Sequence, residues 1–139
     1  CTGGWLGQAV TAVTGSSAWY ERGFITYSNA SKCEMLGVQQ TTLDQYGAVS
    51  AQIAQEMVIG ALNRSRAQIG VSITGIAGPD GGTAIKPVGM VCFAWALKDG
   101  AVRQEVQYFQ GDRETVRRLS VATALQGILH ILNDATAVA

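Results

Sequence analysis

The sequence predicts an α/β fold, a mixed sheet with helices on both faces. Three observations carry this expectation. Apolar residues recur at helical spacing over 50–63 and 112–132. Short β-branched and aromatic runs at 23–27, 70–74, 88–97 and 102–109 read as strands and alternate with the helical segments. The last two flank Lys98-Asp99-Gly100, a hairpin turn.

The elements follow in chain order. Trp5 to Val13 reads as a short helix with Leu6, Ala9, Val10 and Val13 on one face, capped by Thr2 and ended by Gly15. Gly23-Phe24-Ile25-Thr26-Tyr27 reads as a strand. Asn29 to Leu36 makes one or two helical turns closed by Gly37. Ser50 caps a helix to about Asn63, with Ile53, Ala54, Met57, Val58, Ala61 and Leu62 inward. The strand Gly70–Thr74 runs into Gly75-Ile76-Ala77-Gly78-Pro79-Asp80-Gly81-Gly82, the one long loop signal. After the hairpin, Asp112 caps a last helix to about Leu132, striped by Val116, Leu119, Ala122, Leu125, Ile128, Leu129 and Leu132. No repeat or linker interrupts this order, so residues 1–139 are expected to form one domain.

Composition excludes several classes. Apolar residues make up 47% and charged residues 14%, the balance of a chain with a packed core. Ten basic residues offset ten acidic ones, so no nucleic-acid or anionic-membrane footprint is present. No apolar run reaches the ~18 residues of a membrane span, and no signal peptide is visible. Three cysteines without a CxxC pair argue against a disulfide scaffold or a zinc site and fit a reducing cytoplasm. The chain starts at Cys1 without a methionine, which reads as a truncated or processed N-terminus.

Three segments can carry chemistry. In the first, Gly15-Ser16-Ser17 ends a helix where a hydroxyl can face a cleft, Tyr27 ends a strand, and Lys32 follows about one helical turn later. With one histidine in the chain, a desolvated lysine is the available base for a serine, and a tyrosine can relay the proton. The plain alternative is a turn-capping serine and a solvated lysine. In the second, Thr74, Gly75 and Gly78 begin a glycine-rich loop beyond a strand end, where open α/β sheets bind ligands through backbone N–H groups. The loop is neither a Walker A sequence nor a dinucleotide fingerprint. In the third, Thr2-Gly3-Gly4 precedes a helix, either as an anion site or as an ordinary cap. His130 reads as a core or helix-end residue. Arg113, Arg117 and Arg118 read as a solvated face or as partners of Asp112 and Glu114.

Taken together these segments resemble the CinA C-terminal domain family. The resemblance rests on Cys1-Thr2-Gly3-Gly4, Gly15-Ser16-Ser17, Gly23 to Lys32, Gly47-Ala48-Val49-Ser50, Ser72 to Gly82, Lys86-Pro87-Val88-Gly89 and Gly111-Asp112-Arg113, in order through nearly the whole chain. It implies a three-layer α/β/α sandwich with a mixed, mostly parallel sheet, in a homo-oligomer. It implies hydrolysis of the nicotinamide mononucleotide carboxamide to nicotinate mononucleotide and ammonia, in cytoplasmic pyridine-nucleotide salvage, with no metal and no cofactor. By position Ser17 matches the nucleophile, with Ser16 its neighbouring alternative; Lys32 matches the general base and Tyr27 the assisting tyrosine. Thr2, Gly3, Gly4, Ser16, Asn29, Thr74, Gly75 and Gly78 are the expected substrate contacts. The family pattern places Glu-Ser, a helix and a strand ahead of Cys-Thr-Gly-Gly, and this sequence shows none of them. Two other functions compete: a regulatory or nucleotide-binding module without turnover, and an oligomer whose site a neighbour completes.

Overall fold

The computed structural model describes residues 1–138 of the 139. The helices are α1 (Trp5–Thr11), α2 (Asn29–Leu36), α3 (Gln40–Tyr46), α4 (Ala51–Asn63) and α5 (Arg113–Val138). The strands are β1 (Ile69–Gly75), β2 (Met90–Leu97) and β3 (Val102–Tyr108), and Ser16–Ala18 makes a 3₁₀ turn.

The sheet corrects the expected architecture. Its order is β1-β2-β3 and both pairings are antiparallel. The sequence reading of a three-layer α/β/α sandwich around a mixed, mostly parallel sheet therefore fails at its sheet, which has three strands and is wholly antiparallel. The connections explain the difference. A parallel pair needs a crossover, usually helical, whereas antiparallel neighbours accept a direct return. The chain passes from β1 to β2 through a helix-free loop and from β2 to β3 through the tight turn at Lys98–Gly100. The fourth expected strand, Gly23–Tyr27, is extended but joins no sheet, so β1 gains no parallel neighbour.

Strand alternation distributes the core. Successive side chains point to opposite faces. Cys92, Ala94 and Ala96 of β2 pack on Ala54, Val58 and Leu62 of α4. Val91, Phe93 and Trp95 pack with Val116 and Ala124 of α5. Phe93 stacks on Trp95 at 5.5 Å between ring centroids, and the indole N–H of Trp95 donates to the Ala124 carbonyl at 2.9 Å. Gly127 makes this approach possible, because a Cβ there would lie 2.1 Å from Trp95 Cε2. The small residues of β2 face one helix and its aromatics the other, so both helices seat closely.

A third cluster, Leu36, Val38, Leu43, Ile53 and Met57, packs α2 and α3 on α4. Helix α3 has little apolar periodicity of its own; Leu43 is its one buried residue, and the sequence reading missed it. Most caps match expectation. The Ser50 hydroxyl accepts from the Ile53 amide at 3.2 Å, the Asp112 carboxylate accepts from the Thr115 amide at 2.9 Å, and Gly37 ends α2 at φ 70°. Thr2 does not cap α1. Gly4 occupies that position at φ 95° with no side-chain cap.

Candidate active site

Helix α2 begins with a hydroxyl cap: Ser28 Oγ accepts from the Ser31 amide at 3.1 Å. Lys32 follows one position later and its side chain turns back beneath the segment that enters the helix. Its Nζ donates to the Thr26 carbonyl at 2.8 Å and lies 3.4 Å from the Tyr27 carbonyl. These carbonyls belong to the extended stretch that fails to join the sheet, so the lysine replaces a neighbouring strand as their partner. Lys32 is only 6% exposed. The ion pairs among the described residues are Arg22–Glu21 and Arg103–Glu105, so no carboxylate offsets its charge. Burial holds its pKa below the ordinary 10.5, with the Cys33 thiol acting the other way. A neutral lysine amine has two N–H bonds and one lone pair. Two carbonyls on one side can hold the hydrogens and leave the lone pair free to take a proton.

Gly15, at φ 90°, turns the chain into Ser16–Ala18. The Ser16 carbonyl accepts from the Trp19 and Tyr20 amides at 3.0 and 2.8 Å. Ser16 is buried and Ser17 exposed, so Ser17 presents the accessible hydroxyl. No hydrogen bond joins Ser17 to Lys32 among the described residues. The Tyr27 ring is 67% exposed, yet its hydroxyl lies 3.4 Å from Nη2 of Arg113.

That arginine is one of two the sequence reading undervalued. Arg113 Nη1 donates to the Gly78 carbonyl at 2.7 Å, which ties α5, the glycine loop and Tyr27 together. Arg117 donates from Nε to the Cys1 carbonyl at 3.0 Å and from Nη2 to the Thr2 carbonyl at 3.1 Å. Its guanidinium lies 5.2 Å from the centre of the Trp5 ring. Neither arginine is paired with Asp112 or Glu114. The legible signal was their i, i+4 spacing at a helix start, which puts both on one face.

Between the starts of α1 and α5 lies an open cleft of about 750 Å³, with residues 3–5 and Gln8 on one wall and Arg113, Glu114 and Arg117 on the other.

The glycine loop is more structural than expected. The buried Thr74 hydroxyl donates to the Ala48 carbonyl at 2.7 Å. A Cβ on Gly75 would meet Val91 Cγ2 at 2.8 Å, and one on Gly78 would meet Val88 Cγ1 at 2.4 Å. Both glycines are required by the protein's own packing. Asn29 is the exposed first residue of α2. His130 is exposed on α5, away from these residues in sequence, and Cys92 is buried in the core.

The profile of the CinA C-terminal domain matches residues 1–132. The chain belongs to that family. It is 55% identical over 129 residues to the nicotinamide-nucleotide amidohydrolase PncC of Enterobacter agglomerans, covering 93% of this chain and 79% of that protein. It is 50% identical over 132 residues to the protein of the same name from Pseudomonas putida, covering 94% and 81%. Among solved structures, a competence/damage inducible protein from Agrobacterium tumefaciens superposes with a TM-score of 0.91 at 47% identity, covering 94% of this chain and 79% of that one. No helix among the described residues is long and apolar enough to cross a membrane.

Proposed function

We propose that this chain is a nicotinamide-nucleotide amidohydrolase that converts nicotinamide mononucleotide to nicotinate mononucleotide and ammonia by a serine–lysine mechanism. The observation that carries the activity is the 55% identity, over nearly the whole chain, to a protein named for it. What supports the mechanism is Lys32, a buried lysine with no counter-charge and a lowered pKa.

Ser17 Oγ attacks the carboxamide carbon while its proton passes to Lys32 Nζ. Backbone N–H groups hold the oxyanion that forms. The amide nitrogen leaves as ammonia after taking a proton from Lys32 or the Tyr27 hydroxyl. Water then attacks the acyl-serine ester and loses its proton to Lys32, which passes it to the departing Ser17 Oγ; the carboxylic acid formed is released and ionises to the carboxylate. The Ser16–Ala18 turn must close on Lys32 for this chemistry, as catalytic hydrogen bonds often tighten only in the substrate complex. Arg113 positions the Tyr27 hydroxyl from α5. The reading places the enzyme in the cytoplasm, in pyridine-nucleotide salvage. Exposed Trp19 and Ile25, 65% and 60% accessible, support a homo-oligomer that covers them.

Incubation of the protein with nicotinamide mononucleotide tests the activity. Ammonia and nicotinate mononucleotide are expected in equal amounts, with none from free nicotinamide. A protein that releases no ammonia from the mononucleotide is not this enzyme.

A further inference from the structure

We infer that β3 is the two-fold interface of a homodimer, in which two copies of the strand pair antiparallel with Gln104 opposite the partner's Gln104 and join two sheets into one. The inference uses none of the groups assigned to the proposed hydrolysis and stands apart from it.

β3 is an edge of the sheet: β2 flanks it on one side, and no strand among the described residues flanks it on the other. The Phe109 amide donates to the Gly89 carbonyl at 2.8 Å, continuing the ladder just past the end of β3. Backbone groups alternate sides along a strand. The odd-numbered residues of β3 therefore bond to β2, and Val102, Gln104, Val106 and Tyr108 turn their N–H and C=O groups to the open side. No proline, glycine or bulge interrupts the strand, the usual devices that blunt an edge. What remains to repel or admit a second copy is its charge, Arg103 and Glu105.

Outward hydrogen-bonded pairs must match even-numbered residues with even-numbered ones. With Gln104 opposite the partner's Gln104, Arg103 stands opposite the partner's Glu105, and Glu105 opposite the partner's Arg103. Both pairs fall at non-hydrogen-bonded positions, where side chains lie closest. A slip of two residues either way sets Arg103 against the partner's Arg103, or Glu105 against the partner's Glu105, and like charges directly opposite are destabilising. Within one chain Arg103 Nη2 already lies 3.6 Å from Glu105 Oε2, and its guanidinium lies 5.7 Å from the centre of the Trp95 ring. The matched register closes four side chains into a ring of alternating charge. On the other face Val102 meets the partner's Val106. Both valines pack on the cluster of Ala54, Val58 and Leu62 in their own chain, so the apolar layer continues across the axis. Backbone polarity, charge and packing thus select one occupant, a second copy in a self-complementary contact.

Sedimentation velocity on the purified protein tests this, with an oxidation experiment beside it. Wild type is expected to associate as a dimer or a multiple of one. Arg103→Glu and Glu105→Arg each set like charges across the axis and should weaken association about 10- to 100-fold. The double variant carrying both changes restores opposite charges and should recover it. Gln104→Cys should form a disulfide between the two copies of position 104 on mild oxidation, mapped by peptide mass spectrometry against wild type oxidised in parallel. A hydrogen-bonded antiparallel pair sets its Cα atoms about 5.5 Å apart, within disulfide reach. A monomeric wild type overturns the inference. So does an association that both single reversals leave unchanged, or one that a folded double variant fails to recover. If the charge variants do not fold, the position-104 linkage decides alone: its presence supports the interface. Its absence overturns the interface in every case. Failure of the protein to hydrolyse the mononucleotide leaves this result untouched.

Discussion

The role proposed for Lys32 carries a cost to the fold. Its amine lies in the interior without a counter-charge, and burial disfavours the protonated form. The folded pKa lies below the unfolded one, so the unfolded chain binds more protons, and stability rises with pH between the folded pKa and 10.5. Below the folded pKa both states are protonated and the deficit is constant. Thermal melts of wild type and Lys32→Met should therefore shift in favour of wild type as pH rises from 7 toward 10.5. A flat difference would mean that the lysine is not desolvated. The catalytic counterpart is a kcat/KM profile whose ascending limb lies below 10.5 in wild type. Tyr27→Phe should lower kcat by about 10²- to 10⁴-fold if its hydroxyl moves a proton, and steady-state kinetics measure this. The sequence made Lys32 and Tyr27 conspicuous through their spacing, but burial and the carbonyl partners depend on where the 23–27 stretch lies. For Arg113 and Arg117 the i, i+4 spacing was legible but their partners were not, because Gly78, Cys1 and Thr2 are distant in sequence.

At the scale of elements, local signals were strong where a cap or a period fixed the answer. Ser50, Gly37 and Asp112 mark helix ends as expected, and the alternating burial around β2 follows from strand geometry. Helix α3 escaped because its burial comes from Leu43 meeting α4, a tertiary contact. The 23–27 stretch has strand composition, yet Lys32, not a strand, takes its Thr26 carbonyl. Pairing partners are not written in composition. The glycines are testable at this scale. Gly127→Ala would drive a Cβ to 2.1 Å from Trp95, inside a rigid strand-helix contact. It should lower stability by about 1–3 kcal/mol or more, read by denaturant titration. Gly78→Val should also lower the melting temperature, because φ is 84° and Val88 fills the space. A loss of activity there reports loop packing before it reports substrate contact.

Over the whole molecule, the family was legible because its motifs run in order from Cys1 to Arg113, and the profile matches residues 1–132. The sheet direction was not, because it depends on how connections are routed and not on the residues that form each strand. The fold brings the segment entering α2 and the start of α5 together where Arg113 meets the Tyr27 hydroxyl. Among the described residues no group of three or more His, Cys, Asp or Glu side chains could hold a metal. The proposed serine–lysine mechanism uses no metal, so it predicts that activity survives EDTA, measured as ammonia release before and after chelation. The most direct measurement of the central claim is kcat/KM on nicotinamide mononucleotide for wild type, Ser17→Ala and Lys32→Arg, each checked as folded. The account predicts that both variants fall by about three orders of magnitude or more, since alanine offers no nucleophile and arginine cannot give up its proton. A folded variant of either kind that turns over near the wild-type rate would contradict it.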